Sequence, residues 1–215
     1  MSRTSFRALS RVALSGIVLA AAIALGSCSK SDRLTGPLNT APVANTPQAA
    51  VRRLEWAFDH RDARMLGALL TPQAEFTALV NGTDGPIEEV WSRDRLLMSV
   101  GGLFAGTPTG AQAAHSIELD LEPELIALPD PRFGSDPSLD RVVRVMAHLR
   151  VTHAEGGVSD VMGRFQIGLT RGGGVGTVPS ARWHIRDLMD ETVLGGGDVS
   201  NETIASVLSR YWNPR

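Results

Sequence analysis

Thr46–Leu70, TPQAAVRRLEWAFDHRDARMLGALL, holds the clearest helix grammar in the chain. Thr46 suits an N-cap, since its hydroxyl can accept from a free amide of the first turn, and Pro47 suits the first helical position, where no amide is needed. Ala50, Val51, Leu54, Ala57 and Phe58 then recur at helical spacing and gather on one face. Asp62 restarts the pattern as the cap of a short second helix carrying Met65, Leu66, Leu69 and Leu70, which Thr71-Pro72 closes. Neither helix can bury its own stripe, so a sheet must cover them.

Working toward the C-terminus, Glu75–Asn81 alternates with Phe76, Ala78 and Val80 on one side, and Asn81-Gly82 makes a turn. Ser92 caps a further helix with Leu96, Leu97, Val100, Leu103 and Phe104 on its apolar face, weakened by Gly101-Gly102. Trp91 sits just before that cap, where a staple contact forms. Strand patterns follow. Ile117, Leu119 and Leu121 alternate with Glu118, Asp120 and Glu122; after a breaker-rich loop from Leu128 to Asp140, Val142–His153 places Val143, Val145, Ala147, Leu149 and Val151 inward. Gly156-Gly157 turns the chain into a hairpin partner with Val161, Gly163, Phe165, Ile167 and Leu169 inward. The last strand places Trp183, Ile185, Asp187 and Met189 on one side, and a short terminal helix starts at Ser200 or Asn201 with Ile204, Val207, Leu208 and Tyr211 on one face. Helices first and long antiparallel strands after is an α+β order, a curved sheet wrapped around the N-terminal helices.

In the other direction, Arg3, Arg7 and Arg11 precede an uncharged apolar run from Val12 to Leu25. That run is shorter than the roughly 20 residues a membrane-spanning helix needs, and small residues follow it, as in a secretory leader. Leu25-Gly26-Ser27-Cys28 resembles the bacterial lipobox; the resemblance implies cleavage before Cys28 and a lipid on that residue, which is the sole cysteine of the chain. One cysteine also leaves no intramolecular disulfide. Residues 1–27 thus read as a lipoprotein signal peptide, 28–45 as a lipidated cysteine with a Ser/Thr/Asn/Pro-rich tether, and 46–215 as one domain. By similarity to enterobacterial sorting rules, Ser29 in place of an aspartate slightly favours the periplasmic face of the outer membrane. Losing the leader removes three arginines and no acid, moving the formal charge from −2 to −5. A mildly acidic chain without a basic stripe does not point to nucleic acid.

The proline-started helix with Leu54-Glu55-Trp56, then His60-Arg61-Asp62 before a leucine-rich helix and a strand at Phe76, resembles the NTF2-like superfamily, also called cystatin-like or SnoaL-like. Arg182-Trp183-His184-Ile185-Arg186-Asp187 through Asp190-Glu191-Thr192 is similar to the last strand of bacterial lipoproteins with that fold. The resemblance covers most of Thr46–Thr192 and implies a cone with a pocket between the concave face and the helices. It also implies a superfamily of isomerases, cyclases, dehydratases and non-catalytic members, so shape alone assigns no reaction.

The pocket lining expected from parity is Phe76, Phe165, Trp183 and Asp187. Asp187 is the weak catalytic candidate: a carboxylate on an apolar pocket face would be a base with a raised pKa, whereas an arginine partner would leave it structural. A ketosteroid-isomerase-like oxyanion hole needs a tyrosine, and the only one, Tyr211, falls in the terminal helix. His148 and His153 point to opposite faces and cannot share a metal, while His184 shares the outward parity of Arg182 and Arg186. Outward Arg144, Arg150, Arg164, Arg182 and Arg186 read either as an anion patch or, with Glu118, Asp120 and Glu122 on a neighbouring strand, as a salt-laced outer face. Gly172–Gly176 and Gly195–Gly197 lack the lysine and hydroxyl residue of a phosphate loop. No cofactor, metal or catalytic set is assigned. Trp56, well round the helix from the main stripe, needs a cover from Tyr211 and Trp212 or from a partner or second subunit, a homodimer being one form. The expected function is a non-catalytic envelope module binding a small apolar molecule or a protein, with an isomerase or lyase using Asp187 as the alternative.

Overall fold

The computed structural model describes residues 40–212, except 83–84, 107–113, 133, 154–155, 173–180 and 192–201. Cys28 and the leader therefore lie outside the described residues, as do the expected helix start at Ser200 or Asn201 and the glycines of Gly195–Gly197.

Thr46 caps α1 (Pro47–Asp59), its hydroxyl accepting from the Ala49 amide at 3.1 Å, and Ala50, Val51, Leu54, Ala57 and Phe58 are its buried residues. Asp62 caps α2 (Ala63–Leu69), accepting from the Met65 amide at 2.8 Å. The chain then passes directly into β1 (Leu70–Gly82), starting earlier than the expected Glu75. β2 (Gly85–Ser92) is a strand that the sequence reading left out, and Ser92 ends it while capping α3 (Arg93–Ala105). β3 (Ala114–Leu121), the short β4 (Ala127–Pro129), β5 (Asp140–His153), β6 (Val158–Arg171) and β7 (Trp183–Asp190) complete the sheet. α4 (Ile204–Ser209) is capped by a reciprocal Thr203–Ser206 box.

The seven strands form one sheet in the order β2-β1-β7-β6-β5-β3, with β4 added on β5. All described pairings are antiparallel except β1 with β7, which closes the chain's first strand against its last. Val143, Val145, Ala147, Leu149 and Val151 of β5 face the core as expected, none more than 1% exposed. α1 also guards the open β3 edge. Its Asp59 and Glu55 carboxylates accept from the Leu119 and Leu121 amides, and Arg52 donates to the carbonyls of Leu121, Glu122 and Pro123. An edge strand with its amides occupied cannot template another chain.

One expectation about the C-terminus changes. Tyr211 and Trp212 do not cover Trp56; the Trp56 ring instead stacks on His60, one turn along its own helix, with centroids 3.8 Å apart. The C-terminal segment lies over α3, where the Tyr211 carbonyl oxygen would be 2.4 Å from a Cβ on Gly102. Gly102, weak as a helix former, is thus the residue that lets the segment approach. Trp212 and Trp91 both contact the Arg95 guanidinium, at 4.5 and 4.3 Å from the ring centroids.

Candidate functional site

The concave face of the sheet and the helices enclose an apolar cavity of about 40 Å³. α1 supplies Leu54 and Phe58, α2 Leu66, α3 Leu96 and Val100, α4 Ile204 and Leu208; the strands add Phe76, Phe165 and Leu188 among others. Every lining residue is a hydrocarbon side chain. Phe76 is the hinge of an aromatic cluster: its ring meets Trp91 edge-on at 5.3 Å and lies parallel to Phe165 at 6.4 Å. Such a volume exceeds the roughly 10–15 Å³ a water needs, but water also requires two to four polar partners, which these walls do not offer.

Of the four expected lining residues, Phe76 and Phe165 face the cavity and Trp183 and Asp187 do not. Trp183 starts β7 opposite Arg171, at the end of the ladder, with its ring 5.9 Å from the Arg141 guanidinium; for Asp187 the reason is a break in strand parity. Leu169 pairs with Ile185 and Gly168 with Asp187, so Arg186 is an extra residue on β7 and the faces swap after it. Beyond the break, Leu188 opposite Ile167 and Asp190 opposite Phe165 turn to the concave side, and Asp187 turns out. Asp190 is 3% exposed. Plain alternation could not have found it, because the exchange depends on one inserted residue.

On the outer face, Asp187 belongs to an ion network with the loop before β5. Arg132 donates to both of its carboxylate oxygens at 2.8 and 2.9 Å and to Asp130, while Arg186 donates to Asp130 at 2.6 Å and Asp187 at 3.2 Å and lies 3.3 Å from Asp140. The hydrogen bonds from Arg132 hold the buried Asp130 carboxyl down to about 2, against its own desolvation. Gly168 makes room for this arrangement, since a Cβ there would meet the Asp187 carboxylate at 2.3 Å and Arg132 at 2.6 Å. Both oxygens of Asp187 are thus taken up by guanidinium donors, which gives this carboxylate a structural role in the network.

The histidines are placed differently from one another. His184, expected outward and solvated, is 7% exposed, and burial followed by the charge of Arg182 and Arg53 pushes its pKa down. His153 is buried between the Ser159 hydroxyl and the Tyr211 hydroxyl, 3.2 Å from each, and ties the C-terminal segment to the β5–β6 hairpin. His148 lies on the outer face, 2.6 Å from Asp160. The outward arginines also differ: Arg144 reaches Gln166 at 3.1 Å, Arg150 stands opposite Glu118 and 3.9 Å from Asp160, and Arg186 sits in the network above. Among the described residues no three His, Cys, Asp or Glu side chains gather in a way that could hold a metal ion, and no helix is long and apolar enough to cross a membrane.

No family model and no curated protein matches this sequence. Solved structures of similar shape include an NTF2-like superfamily protein from Salmonella enterica serovar Typhimurium, 14% identical over 70% of this chain and 91% of that one, with a TM-score of 0.47. A conserved protein from Planctomyces limnophilus matches at 14% identity over 68% and 94% of the two chains, TM-score 0.48. A presumed dehydratase of the NTF2-like family from Streptomyces avermitilis matches at 12% identity over 69% and 94%, TM-score 0.47.

Proposed function

We propose that this chain is a lipid-anchored envelope protein whose NTF2-like domain holds a small hydrocarbon-rich molecule without transforming it. One observation carries the binding reading: the cavity wall is hydrocarbon throughout, so it favours burial of an apolar group and offers no donor, base or nucleophile to one. The anchoring reading rests on the basic leader, the short apolar run and Cys28. Several acyl chains on one residue, at about 0.8 kcal/mol per buried methylene, hold a protein on a bilayer far more firmly than a single chain. Two measurements test the pair of readings. Cells fed an alkyne-bearing fatty acid label the wild-type protein and not C28S, and C28S leaves the membrane fraction; equal labelling of both overturns the anchor. Mass spectrometry of the full chain, extracted with its membrane in detergent-free polymer discs, recovers a hydrocarbon-rich molecule that is lost in L66W, whose indole fills the cavity. Recovery of the same molecule from both proteins overturns the pocket.

A lyase or isomerase reading keeps one specific support, Asp190, which the parity break brings to the Phe165 face. It replaces Asp187 in that role. Turnover of a hydroxylated or carbonyl-bearing apolar substrate that falls at least 100-fold in D190N, with the fold intact, would favour it over binding alone.

A further inference from the structure

The outer face of β5 and β6 carries two exposed methionines that no packing requirement explains. Met162 is 63% exposed and Met146 39% exposed, on the face opposite the cavity. Met162 stands directly across the strand pair from His148, and Met146 precedes His148 by two residues on the same face of β5. Opposed residues hold their Cβ atoms about 5 Å apart and same-face neighbours on a strand lie about 7 Å apart. A thioether on three rotatable bonds can close either gap. Two sulfurs and one imidazole therefore share a single patch of solvent-facing sheet.

The imidazole is already oriented. Its Nε2 lies 2.6 Å from Asp160 Oδ1, and because a carboxylate only accepts, Nε2 carries a proton, so in the neutral ring it is Nδ1 that presents the lone pair. A carboxylate that fixes the tautomer from behind is the arrangement by which metal-ligating histidines are held and made more basic. Asp120 stands opposite His148 on the other side, across β3, and adds negative charge beside the patch.

We propose that Met146, His148 and Met162 form a surface site for a soft monovalent cation, copper(I) or silver(I), with Asp160 as a positioning residue. Thioether sulfur and imidazole nitrogen select copper(I) over hard cations such as magnesium or calcium, which require oxygen. The site uses neither the cavity nor Asp187 and stands or falls independently of the ligand reading above.

The test is anaerobic competition for copper(I) against a chromophoric chelator, using the full chain carrying C28S so that the one thiol does not compete. The parent retains one equivalent. M146L and M162L, which conserve volume at exposed positions, each weaken retention at least 10-fold, H148Q abolishes it, and D160N weakens it 10- to 100-fold. Silver(I) added to protein with 13C-labelled methionine methyls shifts the signals of Met146 and Met162 and leaves those of Met65, Met98 and Met189 in place. Failure of the parent to withdraw copper from the chelator, or equal retention by the M146L/M162L/H148Q triple variant, overturns the site.

Discussion

The two faces of one sheet follow opposite rules. On the concave side Val143, Val145, Leu149 and Ile167 pack against helices with no more than 1% exposure, and the residual space is lined by hydrocarbon alone. On the outer side Arg186 and Asp187 of β7 form a bonded network with Asp130 and Arg132 of the loop before β5, and β5 and β6 present His148, Asp160 and two exposed methionines. Strand alternation supplies both faces from one sequence, so the chemistry of each is decided by parity, and a single inserted residue on β7 is enough to exchange them. The contrast teaches that stability here divides into a part indifferent to pH and a part that titrates.

That division can be broken most severely from inside. Phe76→Ala removes the ring between Trp91 and Phe165 and should cost about 3–5 kcal/mol, with the same loss at pH 5 and pH 8 in denaturant titrations. Next in size, Asp130→Ala leaves Arg132 and Arg186 short of a buried partner and should cost about 3 kcal/mol at neutral pH. Its loss should shrink in acid. A carboxyl whose folded pKa lies below its unfolded value of 3.8 stabilises fully above that value and stops doing so as pH falls through about 2. Wild-type stability should therefore fall by about 1–2 kcal/mol more than that of the variant between pH 5 and pH 2. A wild-type curve parallel to that of Asp130→Ala would erase the distinction between the faces.

Smaller effects sharpen the contrast. Gly168→Ala pushes a methyl into the Asp187–Arg132 pair and should cost about 1–2 kcal/mol, with chemical-shift changes confined to the outer face in two-dimensional NMR spectra. His184 adds a titration in a different window. Its folded pKa is depressed, so the neutral form stabilises above the unfolded value near 6.5 and stability is lost as pH falls below it; His184→Gln should flatten thermal midpoints measured from pH 7 to pH 5. Arg150→Ala on the exposed outer face should change stability by less than about 0.5 kcal/mol.

Much of the concave side was legible in the sequence because it obeys simple periods. Thr46, Asp62 and Ser92 cap where expected, and the 3.6-residue and two-residue alternations of α1 and β5 name their buried residues correctly. β2 escaped because it is an edge strand: Ile87 and Val90 are more than half exposed, and Glu88 and Glu89 sit between them, so no alternation betrays it. Asp187 escapes because an extra residue on a strand has no local signature in composition, and Trp183 because alternation gives a side chain's face and not how far along the strand the cavity reaches. The cover for Trp56 was misjudged for a different reason, since a ring can be capped by its own helix neighbour, His60, while the terminal segment is drawn to Gly102 by a gap that only three dimensions reveal.

The extra residue at Arg186 also has a historical reading. Removing that one codon would leave the register as it stands, Ile185 opposite Leu169 and Asp187 opposite Gly168, so the strand would alternate without a break and every later side chain would keep its face. Two descendants of one ancestor, separated by a three-nucleotide deletion, would then keep each acid on its own side of the sheet and differ only in the number of residues before it. Alignments that ignore such gaps would equate carboxylates that never occupied the same place.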